Sequence, residues 1–197
     1  FSGKVAGISP WSAESPKLYE IEFELIDPQG KSLEVITQRI GFRSVQVEGK
    51  ELLVNGKPII LYGVNRHDFN KETGRVLTRE LMRADLLELK RWNFNAIRTS
   101  HYPNDPVFLD LCDELGFYVI GEANIESHAF QDSICDDQKY LNAFVDRVAR
   151  MVQPHASTSL RRRNPRELDY RTSPHRPDLS HVSRSFCHCR LRKIKAC

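Results

Sequence analysis

The chain has 197 residues, 40% of them hydrophobic and 28% charged, with a formal net charge of +3, which suits one domain or two small ones with a real core. No run approaches the roughly 20 apolar residues of a membrane helix, and the opening Phe1-Ser2-Gly3-Lys4 has no apolar stretch of a leader behind it, so a soluble globular protein is expected, and a start on Phe rather than Met leads to the expectation of a fragment. Five cysteines, an odd number without framework spacing, fit a reducing compartment or no redox constraint at all, and a cytoplasmic location is the expectation.

Residues 18–26 (LYEIEFELI) alternate, with Leu18, Ile21, Phe23 and Leu25 among glutamates, and Asp27-Pro28-Gln29-Gly30 supplies a turn. The run 32–49 has β-branched residues at period two. Residues 1–47 therefore read as the closing strands of an antiparallel β-sandwich. Leu52-Leu53-Val54, Asn55-Gly56 and Lys57-Pro58-Ile59-Ile60 then form a tight hairpin, because Asn-Gly accepts the positive φ of a type I′ turn.

From residue 48 short apolar strands alternate with helices, the signature of a parallel sheet with crossover helices. The strand 60–64 precedes a polar loop and a helix over 79–91, capped by Thr78, with Met82, Leu86 and Leu89 along one stripe. The strand 94–98 leads through Tyr102-Pro103-Asn104 into a helix over 106–115, buried through Phe108, Leu111, Cys112 and Leu115 and ended by Gly116. The strand 117–121 opens into a long polar loop before an amphipathic helix over 138–152. The order βαβαβα over 48–153 predicts an α/β fold, three units of a TIM (β/α)8 barrel. An eight-stranded barrel takes about 250 residues, so this one is incomplete and its unclosed sheet is expected to be poorly soluble.

Residues 154–197 break the pattern. They hold 11 Lys and Arg against 3 Asp and Glu, net +8, where the first 153 hold 18 against 23, net −5. Without helical or strand period this basic tail is expected to be disordered. Cys187-His188-Cys189, with His181 and Cys197, spaces its thiolates too closely for zinc. Nucleic acid is not an expected partner, since the tail has only Tyr170 and Phe186 for base stacking.

Each predicted strand of the barrel segment runs out into polar residues: Asn65-Arg66-His67-Asp68, then Arg98-Thr99-Ser100-His101-Tyr102, then Glu122-Ala123-Asn124-Ile125-Glu126-Ser127-His128. Loops at the C-terminal ends of barrel strands build active sites, so three histidine-bearing clusters at that end point to one pocket. Glu126 and His128, two residues apart, could direct a carboxylate and an imidazole at one Mg²⁺ or Mn²⁺ ion; the same spacing also serves a hydrogen-bonded pair that fixes the loop.

The segments Gly63-Val64-Asn65-Arg66-His67, Asn93 through Pro103, Leu111-Cys112-Asp113 and Glu122 through His128 closely resemble the β-galactosidases of glycoside hydrolase family 2. Pro10-Trp11-Ser12-Ala13-Glu14 and Leu53-Val54-Asn55-Gly56-Lys57-Pro58 extend the resemblance over residues 1–153. The related β-glucuronidases share parts of these motifs, whereas Asn-Ile-Glu-x-His looks like the galactosidase branch. The resemblance implies an immunoglobulin-like sandwich ending near residue 47, a β-D-galactoside substrate cleaved with retention, and a parent that is often a homo-oligomer. It also implies that His67 and His101 stabilise the transition state, that Asn65, Arg98 and His101 bind substrate, and that Glu126 and His128 ligate Mg²⁺.

Retaining glycosidases need two carboxylates about 5 Å apart, and the family carries its acid/base at the end of an Asn-Glu dipeptide. No Asn-Glu occurs in these 197 residues. The chain is therefore expected to be inactive alone, with a non-catalytic carbohydrate-binding or assembly fragment as the alternative. The loss of pattern at Pro154 suggests a frameshift, a retained intron or a misassigned exon.

Overall fold

A computed structural model describes residues 6–130, 133–152 and 188–196. The described residues divide into two compact units, one holding residues 19–39 with the C-terminal strand, the other residues 6–18, 40–130 and 133–152. No helix among the described residues is long and apolar enough to cross a membrane.

In the first unit, β1 (Tyr19–Ile26) lies between β2 (Ser32–Ile40) and the last strand of the chain. The turn between β1 and β2 is pinned by Asp27, whose Oδ1 accepts from the backbone N–H of Gln29 and Lys31 at 3.0 and 2.8 Å. The run expected to be continuous over 32–49 is broken at residues 41–44 and resumes as β3 (Val45–Glu48) in the second unit.

The expectation of an unstructured tail is corrected at its end, for His188–Ala196 is a strand paired antiparallel to β1. The sequence hides it because the register shifts between Glu22 and Phe23, leaving Arg192 as an extra residue. Leu191 and Ile194, three apart and thus out of step with period two, come opposite Phe23 and Ile21. The same register sets Lys195 against Glu20 and Lys193 against Glu22. Opposite charges directly across a strand pair contribute about 0.2–1 kcal/mol each, and like charges oppose pairing. Reversing both lysines (Lys193→Glu with Lys195→Glu) is therefore expected to speed amide hydrogen exchange across β1 at low salt, and less so at high salt. Unchanged exchange at low salt would contradict this pairing. The expected disorder of residues 154–187 lies outside the described residues.

The second unit contains the barrel segment. β3 pairs with β4 (Glu51–Val54), and β4 with β5 (Lys57–Pro58), through the Asn55-Gly56 turn at φ 53° and 74°. Then come β6 (Gly63–Arg66), α1 (Arg79–Arg91), β7 (Ala96–Thr99), α2 (Pro106–Leu115) and β8 (Tyr118–Gly121). β6, β7 and β8 form one parallel sheet in that order. The strands begin one to three residues later than the apolar runs suggest, and Ile60 and Tyr62 are exposed instead. A one-turn helix α3 (Ser133–Asp136) and a 3-10 turn precede α4 (Leu141–Val152), the last helix expected.

Helix ends follow the local chemistry. The Thr78 side chain accepts from Leu81 N–H at α1, and Asp105 accepts from Val107 N–H at 2.7 Å ahead of Pro106. Gly116 ends α2 at φ 78°, in the left-handed region that disfavours a side chain. α1 and α2 bury Met82, Leu86, Phe108, Leu111 and Cys112 against Ile97 and Val119. Burial among these apolar groups pushes the Cys112 thiol up, so it is inert packing.

A second core joins residues 6–18 to this sheet. Trp11, fully buried, packs edge-on against Tyr118 with ring centroids 5.6 Å apart, and its indole N–H donates to the Asp113 carbonyl at 2.8 Å. A Cβ on Gly41 would come within 2.7 Å of the Trp11 ring, so the chain passes there only as glycine. The three-stranded sheet closes no barrel. Leu141, Val145, Val148 and Val152 along α4 are exposed, as is Ile120 at the sheet edge.

Candidate active site

The three polar clusters do converge at the C-terminal end of the sheet. Parallel pairing sets Asn65 beside Arg98 and Arg98 beside Ile120 on one face, and Arg66 beside Thr99 and Gly121 on the other. One residue further along each strand begins the site. An open cavity of about 580 Å³ is lined by His67, Arg75, His101, Tyr102, Pro103, Asn124 and Glu126.

His67 and His101 meet edge to face, with ring centroids 5.7 Å apart, and Tyr102 lies 6.0 Å from His67. The loop that carries His67 is tied down from behind. Arg66, buried to 7% exposure, donates to Asp68 at 2.6 Å and to Asp85 on α1 at 2.9 Å, and lies over the Phe108 ring at 4.3 Å. Asp68 in turn accepts from the Asn104 amide at 2.9 Å, and its backbone N–H donates to the Tyr102 hydroxyl at 3.0 Å. A buried guanidinium with two carboxylate partners is satisfied, and it locks one loop to the next.

Behind His101 stands Glu122. It accepts from Arg98 Nε, and its Oε2 lies 2.6 Å from His101 Nδ1. Arg98 Nη2 lies 3.4 Å from the same ring nitrogen. Partial burial raises the Glu122 carboxyl, but the hydrogen bonds from His101 and Arg98 and the Arg98 charge outweigh it, holding it below the usual carboxylate range.

Glu126 and His128 lie on the loop after β8. Glu126 Oε1 is 3.5 Å from His128 Nδ1 and also accepts from His128 N–H at 3.1 Å. Neighbouring ligands of an octahedral ion with bonds of about 2.1 Å are roughly 3 Å apart. The pair thus fits two places in a Mg²⁺ shell as well as it fits a simple hydrogen-bonded loop. Among the described residues no group of three or more His, Cys, Asp or Glu converges on one point.

Of the residues singled out in the sequence, His67, His101 and Glu126 line the cavity, and Arg98 reaches it through His101. His128 is 95% exposed beside it. Asn65 lines a smaller hollow on the sheet face with Arg98 and Ile120. Sequence reading assigned nothing to Glu122, Tyr102, Arg75 or Asn124. For Glu122, Tyr102 and Asn124 the signal was position, since each follows a strand in a cluster already noted, whereas Arg75 lies outside those clusters, and pairing across clusters is invisible until the strand register is known.

Residues 45–158 match the family model described as glycosyl hydrolases family 2, TIM barrel domain, and residues 2–43 match that of glycosyl hydrolases family 2. A β-galactosidase from Enterobacter cloacae is 46% identical over 145 residues, 73% of this chain and 14% of that protein. The β-galactosidase BgaC of Bifidobacterium adolescentis is 49% identical over 127 residues, 64% of this chain and 12% of that protein. The chain therefore spans about an eighth of the length of these relatives. Among solved structures, a β-galacturonidase from Eisenbergiella tayi bound to galacturonate superposes with a TM-score of 0.67 at 32% identity, covering 79% of this chain and 27% of that one. A β-glucuronidase from Ruminococcus gnavus gives 0.57 at 34% identity, covering 60% and 20%.

Proposed function

Since this chain belongs to family 2 of the glycosyl hydrolases, we propose that its barrel segment forms one wall of a β-galactosidase active site. The observation that carries this reading is the convergence of His67, His101 and Glu126 on one cavity at the C-terminal end of the sheet. A sugar seated there meets two imidazoles that hydrogen-bond its hydroxyls, and those bonds strengthen as positive charge develops at the anomeric carbon. Arg98 orients His101, and Asn65 contributes to substrate binding from the inner face of the sheet. Glu126 and His128 would hold Mg²⁺, which when bound adds positive potential beside the sugar.

In the whole protein the glycosidic bond is cleaved with retention by two carboxylates supplied from elsewhere in the barrel. The 197-residue chain by itself is inactive on this reading. Calorimetry with galactose separates it from a non-catalytic carbohydrate-binding module. The open three-stranded wall is expected to give no saturable heat, and saturable binding by this chain would favour the module.

A β-uronidase is the second reading, favoured by the galacturonidase and glucuronidase neighbours and by Arg75, a cation at the cavity held 4.5 Å over the Tyr102 ring. Identity supports the galactoside, at 46% to the β-galactosidase against 32–34% to the uronidases.

A further inference from the structure

Glu122 has no part in the mechanism described so far, yet its carboxylate accepts from two side chains behind the cavity, Arg98 and His101. It sits one residue beyond β8, and the parallel register that pairs Thr99 with Gly121 brings it level with the end of β7. There it meets both Arg98, on the strand, and His101, on the loop that follows. Its side chain is 23% exposed, and those of Arg98 and His101 are 39% and 36% exposed. The three form a closed group at the back of the pocket and not a loose surface pair.

We infer that Glu122 is a positioning residue, whose carboxylate fixes His101 as the Nδ1–H tautomer while Arg98 fixes the carboxylate. The inference deepens the sugar-facing role proposed for His101 and rests on it for its functional meaning. The chemistry follows from which nitrogen is occupied. A carboxylate at 2.6 Å can only accept, so the proton between them sits on Nδ1. Arg98 Nη2, at 3.4 Å from the same nitrogen, is the longer contact and gives way to it.

With Nδ1–H committed to Glu122, Nε2 is the nitrogen left for a sugar hydroxyl. The neutral ring accepts through it and the charged ring donates through it. The bond also sets the ring plane, which holds the edge-to-face approach of His67 and His101. Arg98 donates to Oε1 and His101 to Oε2, so both carboxylate oxygens are already held by the protein. A structural salt bridge between Arg98 and Glu122 alone would leave the tautomer of His101 unspecified.

The test is nitrogen-15 NMR of the imidazole rings in the full 197-residue chain at a pH where the rings are neutral, with His101 assigned through His101→Asn. The wild type is expected to show a protonated Nδ1 and a bare Nε2 at His101. Glu122→Gln, whose amide can donate as readily as accept, is expected to reduce the Nδ1–H form to a minority. Glu122→Asp, a shorter carboxylate, is expected to restore it in part. A bare Nδ1 in the wild type, or an Nδ1–H population unchanged in a folded Glu122→Gln, would overturn the proposal. Should the glutamine variant not fold, the wild-type spectrum still decides, since it must show the protonated Nδ1. None of these readings depends on sugar, so failure of the galactosidase reading would leave the tautomer result standing, and the reverse.

Discussion

His101→Ala is expected to lower kcat/KM for a nitrophenyl β-galactoside by about 10²–10³-fold, or about 2.7–4 kcal/mol of transition-state stabilisation. The assay requires a complete barrel. It is made in a chimera carrying residues 6–152 in place of the matching stretch of the Enterobacter cloacae β-galactosidase, which is 46% identical over 145 residues. The reasoning is geometric: His101 is one of two imidazoles facing the cavity, and its ring is held from behind by Glu122 and Arg98. A preorganised hydrogen-bonding group loses little on reaction and gains as charge develops, so its removal falls mainly on kcat. A loss confined to KM would assign His101 to uniform binding, and no loss would remove it from the site.

The second large effect is on stability. Trp11→Ala is expected to cost about 3–5 kcal/mol, the range for emptying a buried aromatic site. Typical domains are stable by only about 5–15 kcal/mol. Trp11 is fully buried, stacks edge-on with Tyr118, lies under the Arg43 guanidinium at 4.5 Å and donates to Asp113 O. The main-chain carbonyl of residue 11 accepts from the Asn55 side chain at 3.0 Å, a tie to the β3–β5 hairpin that the substitution leaves in place. Far-UV circular dichroism during urea unfolding of the 197-residue chain measures the change. Trp11→Phe should cost less, because it keeps most of the ring and loses the single N–H bond, worth about 1 kcal/mol. A Trp11→Ala shift under 1 kcal/mol would mean that residues 6–18 are not integral to the second unit.

Much of the barrel segment was legible because its elements are locally determined. Thr78 and Asp105 cap helices, Gly116 ends one, and the apolar stripes repeat at helical spacing, so α1 and α2 fall where the residues place them. The Asn55-Gly56 turn was equally plain, since few pairs accept two positive φ values.

What was not legible depends on partners far away in sequence. The run 32–49 reads as one strand, yet Gly41 must pass against Trp11, 30 residues upstream, and the strand breaks there. The C-terminal strand His188–Ala196 was missed because a bulge shifts its apolar residues out of alternation, and only the partner strand reveals the phase. At the site the candidates His67, His101 and Glu126 were visible as strand-end residues, and the cavity unites them. Glu122 carried no separate signal in the sequence. Its meaning comes from the register of β7 and β8, which no local pattern encodes.

The central claim, that these residues form the wall of a β-galactoside site, is tested most directly by the substrate preference of the soluble, folded chimera. Its kcat/KM is measured on nitrophenyl β-D-galactoside, β-D-galacturonide and β-D-glucuronide. The galactoside is expected to be hydrolysed at least tenfold more efficiently than either uronide. A preference for a uronide, or a folded chimera inactive on all three, would contradict the claim.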